Sequence, residues 1–184
     1  MQRRFHSDEF QQFLRLVDAE LPLPCTVVLV GGAAMSLGYC PAHTAPDIEI
    51  WSSTDNVIWT AAERASEKIP RPIRVRQALA GEPRYGFEDR VWPARIKGLR
   101  FLTVLVPEAH DQMLLKAARA EPLDSIADLH RDYPLSLPTL VERYHEMKRQ
   151  VSGPRSRFKA SFLEVVGKLF GKAKAVEVGK LLKE

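Results

Sequence analysis

A chain of 184 residues suffices for one globular domain, or one domain with an appendage. With 45% hydrophobic and 27% charged residues it has the composition of a soluble protein, and no apolar run approaches the length of a membrane-spanning helix. The net charge of +4 is unevenly placed: from Lys148 onward ten Lys/Arg stand against three Asp/Glu, whereas the preceding part holds 17 against 20.

Ser7 is expected to cap a first helix running to about Glu20, with Phe10, Phe13, Leu14 and Val17 on one face. The Leu-Pro-Leu-Pro segment ends it. A strand is expected over Cys25–Val30, a small-residue helix from Gly32 to about Gly38, and a second strand over Asp47–Trp51. Residues 57–69 carry helical periodicity, 74–79 read as a weak strand, and a short strand is expected near 90–92. A strong strand over 99–106 leads into a helix over 107–121. Two more helices follow, at about 123–131 and 137–150, the second opened by Pro138.

Ser152-Gly153-Pro154 is the clearest break. Beyond it Phe158, Phe162, Val165, Val166, Leu169, Phe170, Ala173 and Val176 recur at three- and four-residue spacing, with lysines between. One amphipathic basic helix over 155–184 is predicted. Its occupant is left open among the body of the same chain, a second copy (a homo-oligomer), RNA or an acidic membrane. The domain scheme is 1–110 for an α/β core with its N-terminal helix, 111–150 for a helical completion, and 151–184 for the basic helix. MQRRFHSDEF has no apolar stretch to make a secretory signal. Cys25 and Cys40 show no metal spacing, so two buried free thiols and a cytoplasmic location are expected. The five histidines show no metal spacing either.

The chemistry concentrates in 27–51. Val27–Val30 breaks at Gly31-Gly32, a turn that favours residues without a side chain. On the following strand Asp47 and Glu49 lie two apart and share a face. Two carboxylates on one face of an apolar sheet need a cation or hydrogen bonds.

Gly31-Gly32 followed by Asp47-Ile48-Glu49 resembles the signature of the polymerase-β-type nucleotidyltransferase superfamily. Further segments are similar to bacterial nucleotidyltransferase-like proteins related to AbiEii-type toxins: Tyr85-Gly86-Phe87-Glu88-Asp89-Arg90-Val91, the helix carrying Lys116 and Arg119, and then Asp124 and Asp128. The resemblance implies an α/β (α+β) fold, a small mixed sheet with flanking helices followed by a helical C-terminal part. It implies Mg²⁺ on Asp47 and Glu49, NTP phosphates on Gly31, Gly32, Lys116 and Arg119, and Asp124 and Asp128 behind them. Glu88, beside Asp89, is the candidate third acid. The acceptor would be RNA, a protein or a small molecule, and the partner a cognate toxin or antitoxin.

Each feature also has a purely structural reading. Lys116 and Arg119 fit a solvent-facing helix side, and Asp124 fits the charged start of a helix. Relatives carry Arg-x-Thr before the first Asp, where this chain has His43-Thr44-Ala45-Pro46. With no acid in 99–106, a catalytically degenerate, partner-binding or antitoxin-like module is the alternative.

Overall fold

The computed structural model describes residues 3–78, 86–120, 123, 125–151 and 153–182. It divides into two compact units, one within Met1–Leu79 and Glu88–Glu108, the other within Ala80–Phe87 and Ala109–Glu184.

The first unit is a mixed sheet with helices. Its strands are β1 (Cys25–Val30), β2 (Asp47–Ser53), β3 (Arg74–Gln77), β4 (Val91–Pro93) and β5 (Leu102–Pro107), in the order β3-β2-β1-β5-β4. β1 is central because nearly every residue is apolar, and Val27, Leu29 and Val30 are all buried. It pairs antiparallel to β2 and parallel to β5, while β3 joins β2 in parallel and β4 joins β5 antiparallel. The edge strands β3 and β4 are four and three residues long, which limits the ladder they expose. No helix among the described residues is long and apolar enough to cross a membrane.

α1 (Ser7–Glu20) buries Phe10, Phe13, Leu14 and Val17, as its periodicity predicts. Its cap, however, is His6 and not Ser7: the His6 backbone is extended and its N–H donates to the Glu9 carboxylate at 2.9 Å. α2 (Gly31–Gly38) follows β1 directly, and α3 (Val57–Glu67) follows β2 and packs on α1.

The strand expected from residue 99 starts at Leu102 instead. Asp18, buried at the end of α1, accepts the backbone N–H groups of Arg100, Phe101 and Leu102 at 2.9, 2.8 and 2.7 Å. One carboxylate oxygen thus gathers three amides into a turn, and β5 begins at the last of them, where Leu102 pairs with Cys25. The strand predicted at 74–79 is seen as β3 but ends at Gln77, with Ala78 beyond it and Leu79 outside the described residues.

The second unit is helical: α4 (Ala109–Ala118), α5 (Ile126–Asp132), α6 (Leu137–Met147), α7 (Arg155–Phe170) and α8 (Lys172–Leu181). α6 starts as expected, Ser136 accepting from the Thr139 amide with Pro138 in the first turn. α4 is shorter than expected, since the chain turns left-handed at Ala120 (φ 49). Glu121 and Ser152 lie outside the described residues.

The tail is not one helix. Gly171, at φ 92, separates α7 from α8, and the two pack as a hairpin. The break resets the helical phase. Phe158, Phe162, Val165 and Val166 are buried as predicted, but Ala173 is exposed and Val176 is 59% exposed, while Val178 and Leu182 turn inward. α7 lies against α4, α5 and α6. Tyr144 stacks on Phe158 and Phe162 with ring centroids 4.8 and 4.5 Å away, and His130 meets Phe170 edge-on at 5.2 Å. Burial of each large side chain contributes about 1.5–3 kcal/mol. The basic segment therefore docks within its own unit.

Candidate functional site

The end of the central strands gathers the residues of the Gly-Gly and Asp-x-Glu motifs. Glu49 pairs with Val30, the residue before Gly31, so the carboxylate strand and the glycine turn share one end of the sheet. Gly31 takes a left-handed φ of 71 as α2 begins. A Cβ on Gly32 would stand 2.6 Å from the Ala45 Cβ and 3.5 Å from the His43 Nε2. Glycine at this second position is thus fixed by the loop entering β2, and a serine there would collide with Ala45.

That loop is tied to the N-terminal segment. Phe5 and Ala45 exchange backbone hydrogen bonds at 2.8 and 3.1 Å. Arg4 donates through Nε to the Thr44 hydroxyl at 2.8 Å and through Nη2 to the Thr44 carbonyl. An arginine distant in sequence therefore meets the threonine that precedes the carboxylate strand.

Asp47 and Glu49 are buried, with 9% and 5% of their surface exposed, and both meet Arg76 of β3. Arg76 Nε donates to Asp47 Oδ2 at 2.8 Å, and its Nη2 donates to Glu49 Oε1. The parallel register sets Arg76 beside Glu49 and Arg74 beside Asp47. Arg76 is the cation that two carboxylates on one face of an apolar sheet need, and no local pattern around Asp47 and Glu49 singles it out. The alternation Arg74-Val75-Arg76 on a strand parallel to β2 was the available signal.

Glu88 comes to β2 differently. β2 bulges at Trp51, which is left over where Val28 faces Ser52 and Leu29 faces Ile50. The Trp51 indole N–H donates to Glu88 Oε1 at 2.9 Å from the short 3₁₀ turn Phe87–Arg90. Glu88 and Asp89 are both exposed. Among the described residues no group of three or more His, Cys, Asp or Glu is arranged to hold a metal ion.

The remaining candidates lie in the second unit. Lys116 is buried on α4, with 4% exposed, in a row with Asp111 and Gln112, so it does not line a solvent face. Asp111 is fully buried and pairs with Arg143 of α6 at 3.1 Å. Arg119 follows the end of α4 and is half-buried. Asp128 is exposed and pairs with Arg131 one turn along α5 at 2.8 Å. Asp124 and Tyr85 lie outside the described residues. His110 and His130 accept the backbone N–H groups of Ser136 and Leu135 at 2.8 and 3.0 Å, which gives both a structural use. Cys25 and Cys40 are free and buried, as expected. A groove of about 480 Å³ between α3 and β3, lined by Trp59, Glu63, Ile73 and Arg74 among others, includes neither carboxylate.

A five-stranded mixed sheet, with a glycine turn after its central strand and paired acids on the next, defines a nucleotidyltransferase-like α/β protein. Over residues 8–167 the sequence matches the family described as nucleotidyltransferase of unknown function (DUF6036), and the chain belongs to that family. No curated protein and no solved structure gives a significant match.

Proposed function

We propose that the chain is a metal-dependent nucleotidyltransferase of the AbiEii-like kind, acting within a toxin–antitoxin pair. It would move a nucleoside monophosphate from an NTP onto a hydroxyl of RNA, protein or a small molecule. The acceptor oxygen forms a bond to the α-phosphorus, the bond to the bridging oxygen breaks, and pyrophosphate leaves.

The observation that carries this reading is the pairing of Glu49 with Val30, which brings two buried carboxylates beside the Gly31-Gly32 turn. The donor set fits Mg²⁺, which favours hard oxygens and commonly takes one or two carboxylates with waters and substrate phosphates completing its shell. Asp47 and Glu49 would hold the ion, whose chemistry is to stabilise charge on the attacking and leaving oxygens. Gly31 and Gly32, at the start of α2, are the candidates to present backbone amides to phosphate. Lys116 and Arg119 are the candidates to neutralise phosphate charge, and Glu88 is the candidate general base.

Magnesium-dependent consumption of an NTP by the purified chain is the test. Asp47→Asn should abolish it while the circular dichroism stays native. Equal turnover in that variant would sink the mechanism.

A second reading has its own observation. Arg76 bonds both carboxylates, and Glu88 is exposed and committed to Trp51. That arrangement supports the reading of a fold kept as a partner-binding or antitoxin-like module. Calorimetric titration with all four NTPs and Mg²⁺ separates the two: nothing tighter than millimolar favours the module, and a micromolar site excludes it.

A further inference from the structure

Arg76 has a defined place in the sheet and a divided allegiance. It stands beside Glu49 on an edge strand of four residues. Its side chain is 26% exposed, more than the 12% and 6% of the carboxylates it bridges. Different nitrogens of one guanidinium reach different acids: Nε reaches Asp47 Oδ2 and Nη2 reaches Glu49 Oε1. A guanidinium keeps its charge at any physiological pH, and its donors form a rigid fork. It is released from a carboxylate most readily where other anionic oxygens take over its donors.

We infer that Arg76 is a built-in counter-cation of this site. It holds Asp47 and Glu49 together in the absence of a divalent ion, and it yields them to an ion that arrives with a nucleoside triphosphate. The inference rests on the transferase reading of the same two carboxylates. A divalent ion arriving alone would take the oxygens that Arg76 already bonds and stand beside a fixed positive charge. A triphosphate changes the balance, because its oxygens accept the fork as well as a carboxylate does. The partly exposed guanidinium, on an edge strand, has room to turn outward without breaking the central ladder. Its consequence is selectivity: the bare ion binds weakly, and the ion with its nucleotide binds well.

The experiment uses the full chain, with Mn²⁺ as the probe, followed by electron paramagnetic resonance of the free ion. Arg76→Gln should bind Mn²⁺ alone at least tenfold more tightly than the native chain, with Arg76→Lys between them. With α,β-methylene analogues of the four NTPs and Mn²⁺, the same Arg76→Gln chain should bind at least tenfold more weakly. Unchanged or weaker Mn²⁺ binding in folded Arg76→Gln overturns the inference. If that variant does not fold, the Arg76 Nε–H resonance of the native chain decides. It should shift at saturating Mg²⁺ with analogue, and no shift at saturating Mg²⁺, with or without analogue, overturns the inference. Should Arg76→Gln gain Mn²⁺ affinity while neither chain binds any analogue, the transferase reading fails and the competition between Arg76 and the ion stands.

Discussion

At the end of β1 and β2, carboxylates are buried against a guanidinium; between α6 and α7, phenyl rings are buried against a phenol. The aromatic stack is stabilised by removing apolar surface from water, which depends little on geometry or on what else is bound. The carboxylate pair is held by a charged partner, since the cost of burying charge must be met by an opposite charge or hydrogen bonds. A contact of the second kind can pass to another partner of the same charge, whereas one of the first kind does not depend on what else is bound.

The sharpest way to break the contrast is to attack the aromatic side. Phe162→Ala removes a fully buried ring between Tyr144 and the helical core. It should cost about 3–5 kcal/mol in urea unfolding, with or without Mg²⁺. A loss below about 1.5 kcal/mol would mean that α7 is not part of the core.

Arg76→Ala comes next. It takes the guanidinium away from two buried acids and should cost about 2–3 kcal/mol without metal, less than a fully buried pair because Arg76 is 26% exposed. Unlike the phenylalanine variant, it should recover stability on adding Mn²⁺ or on neutralising both acids by Asp47→Asn and Glu49→Gln. Failure of both rescues would show that Arg76 acts as packing and not as a charge.

Gly32→Ser probes the turn itself. The introduced Cβ meets the Ala45 Cβ at 2.6 Å, so overpacking should cost about 1–3 kcal/mol. In an Ala45→Gly background the same substitution should cost much less; an equal loss in both backgrounds would place the strain elsewhere.

The smallest effects lie in the pH dependence of the helical unit. Desolvation first, then the charges of Lys148 and Arg149, hold the His145 imidazole below its ordinary value of 6.5. The unfolded chain therefore takes up this proton more readily, so stability is complete above 6.5 and declines as pH falls through that value. Burial pushes the Tyr144 phenol above its ordinary 10.0, so stability is complete below that pH and is lost as pH rises beyond it. Thermal midpoints should show both limbs, with His145→Gln flattening the acid side and Tyr144→Phe the alkaline side. Limbs that survive these variants belong to other groups.

Local chemistry along the chain was enough to read the element types and the motif pair. The apolar run Val27–Val30 could only be a buried strand, Gly31-Gly32 could only end it, and alternation put Asp47 and Glu49 on one face. The phenylalanines of the tail announced a buried helix in the same way, because periodicity is a property of the backbone and is written in every turn. Arg76 was less visible, since which strand pairs with β2, and in which register, depends on contacts distant in sequence.

Other features needed the folded chain altogether. Asp18 caps a strand start 82 to 84 residues away, Arg4 meets Thr44, and Ala45 decides that Gly32 has no side chain. Gly171 breaks the tail although the hydrophobic spacing runs through it, since glycine's freedom at positive φ leaves the choice to the packing of α8 on α7. The sequence by itself determined the apolar faces of most elements and which residues carry charge, because hydration and backbone periodicity act residue by residue; it did not determine the exposure of Val176 or the burial of Lys116. Only the tertiary structure decided which charges meet, because an ion pair depends on distances that the sheet register sets and no local pattern encodes.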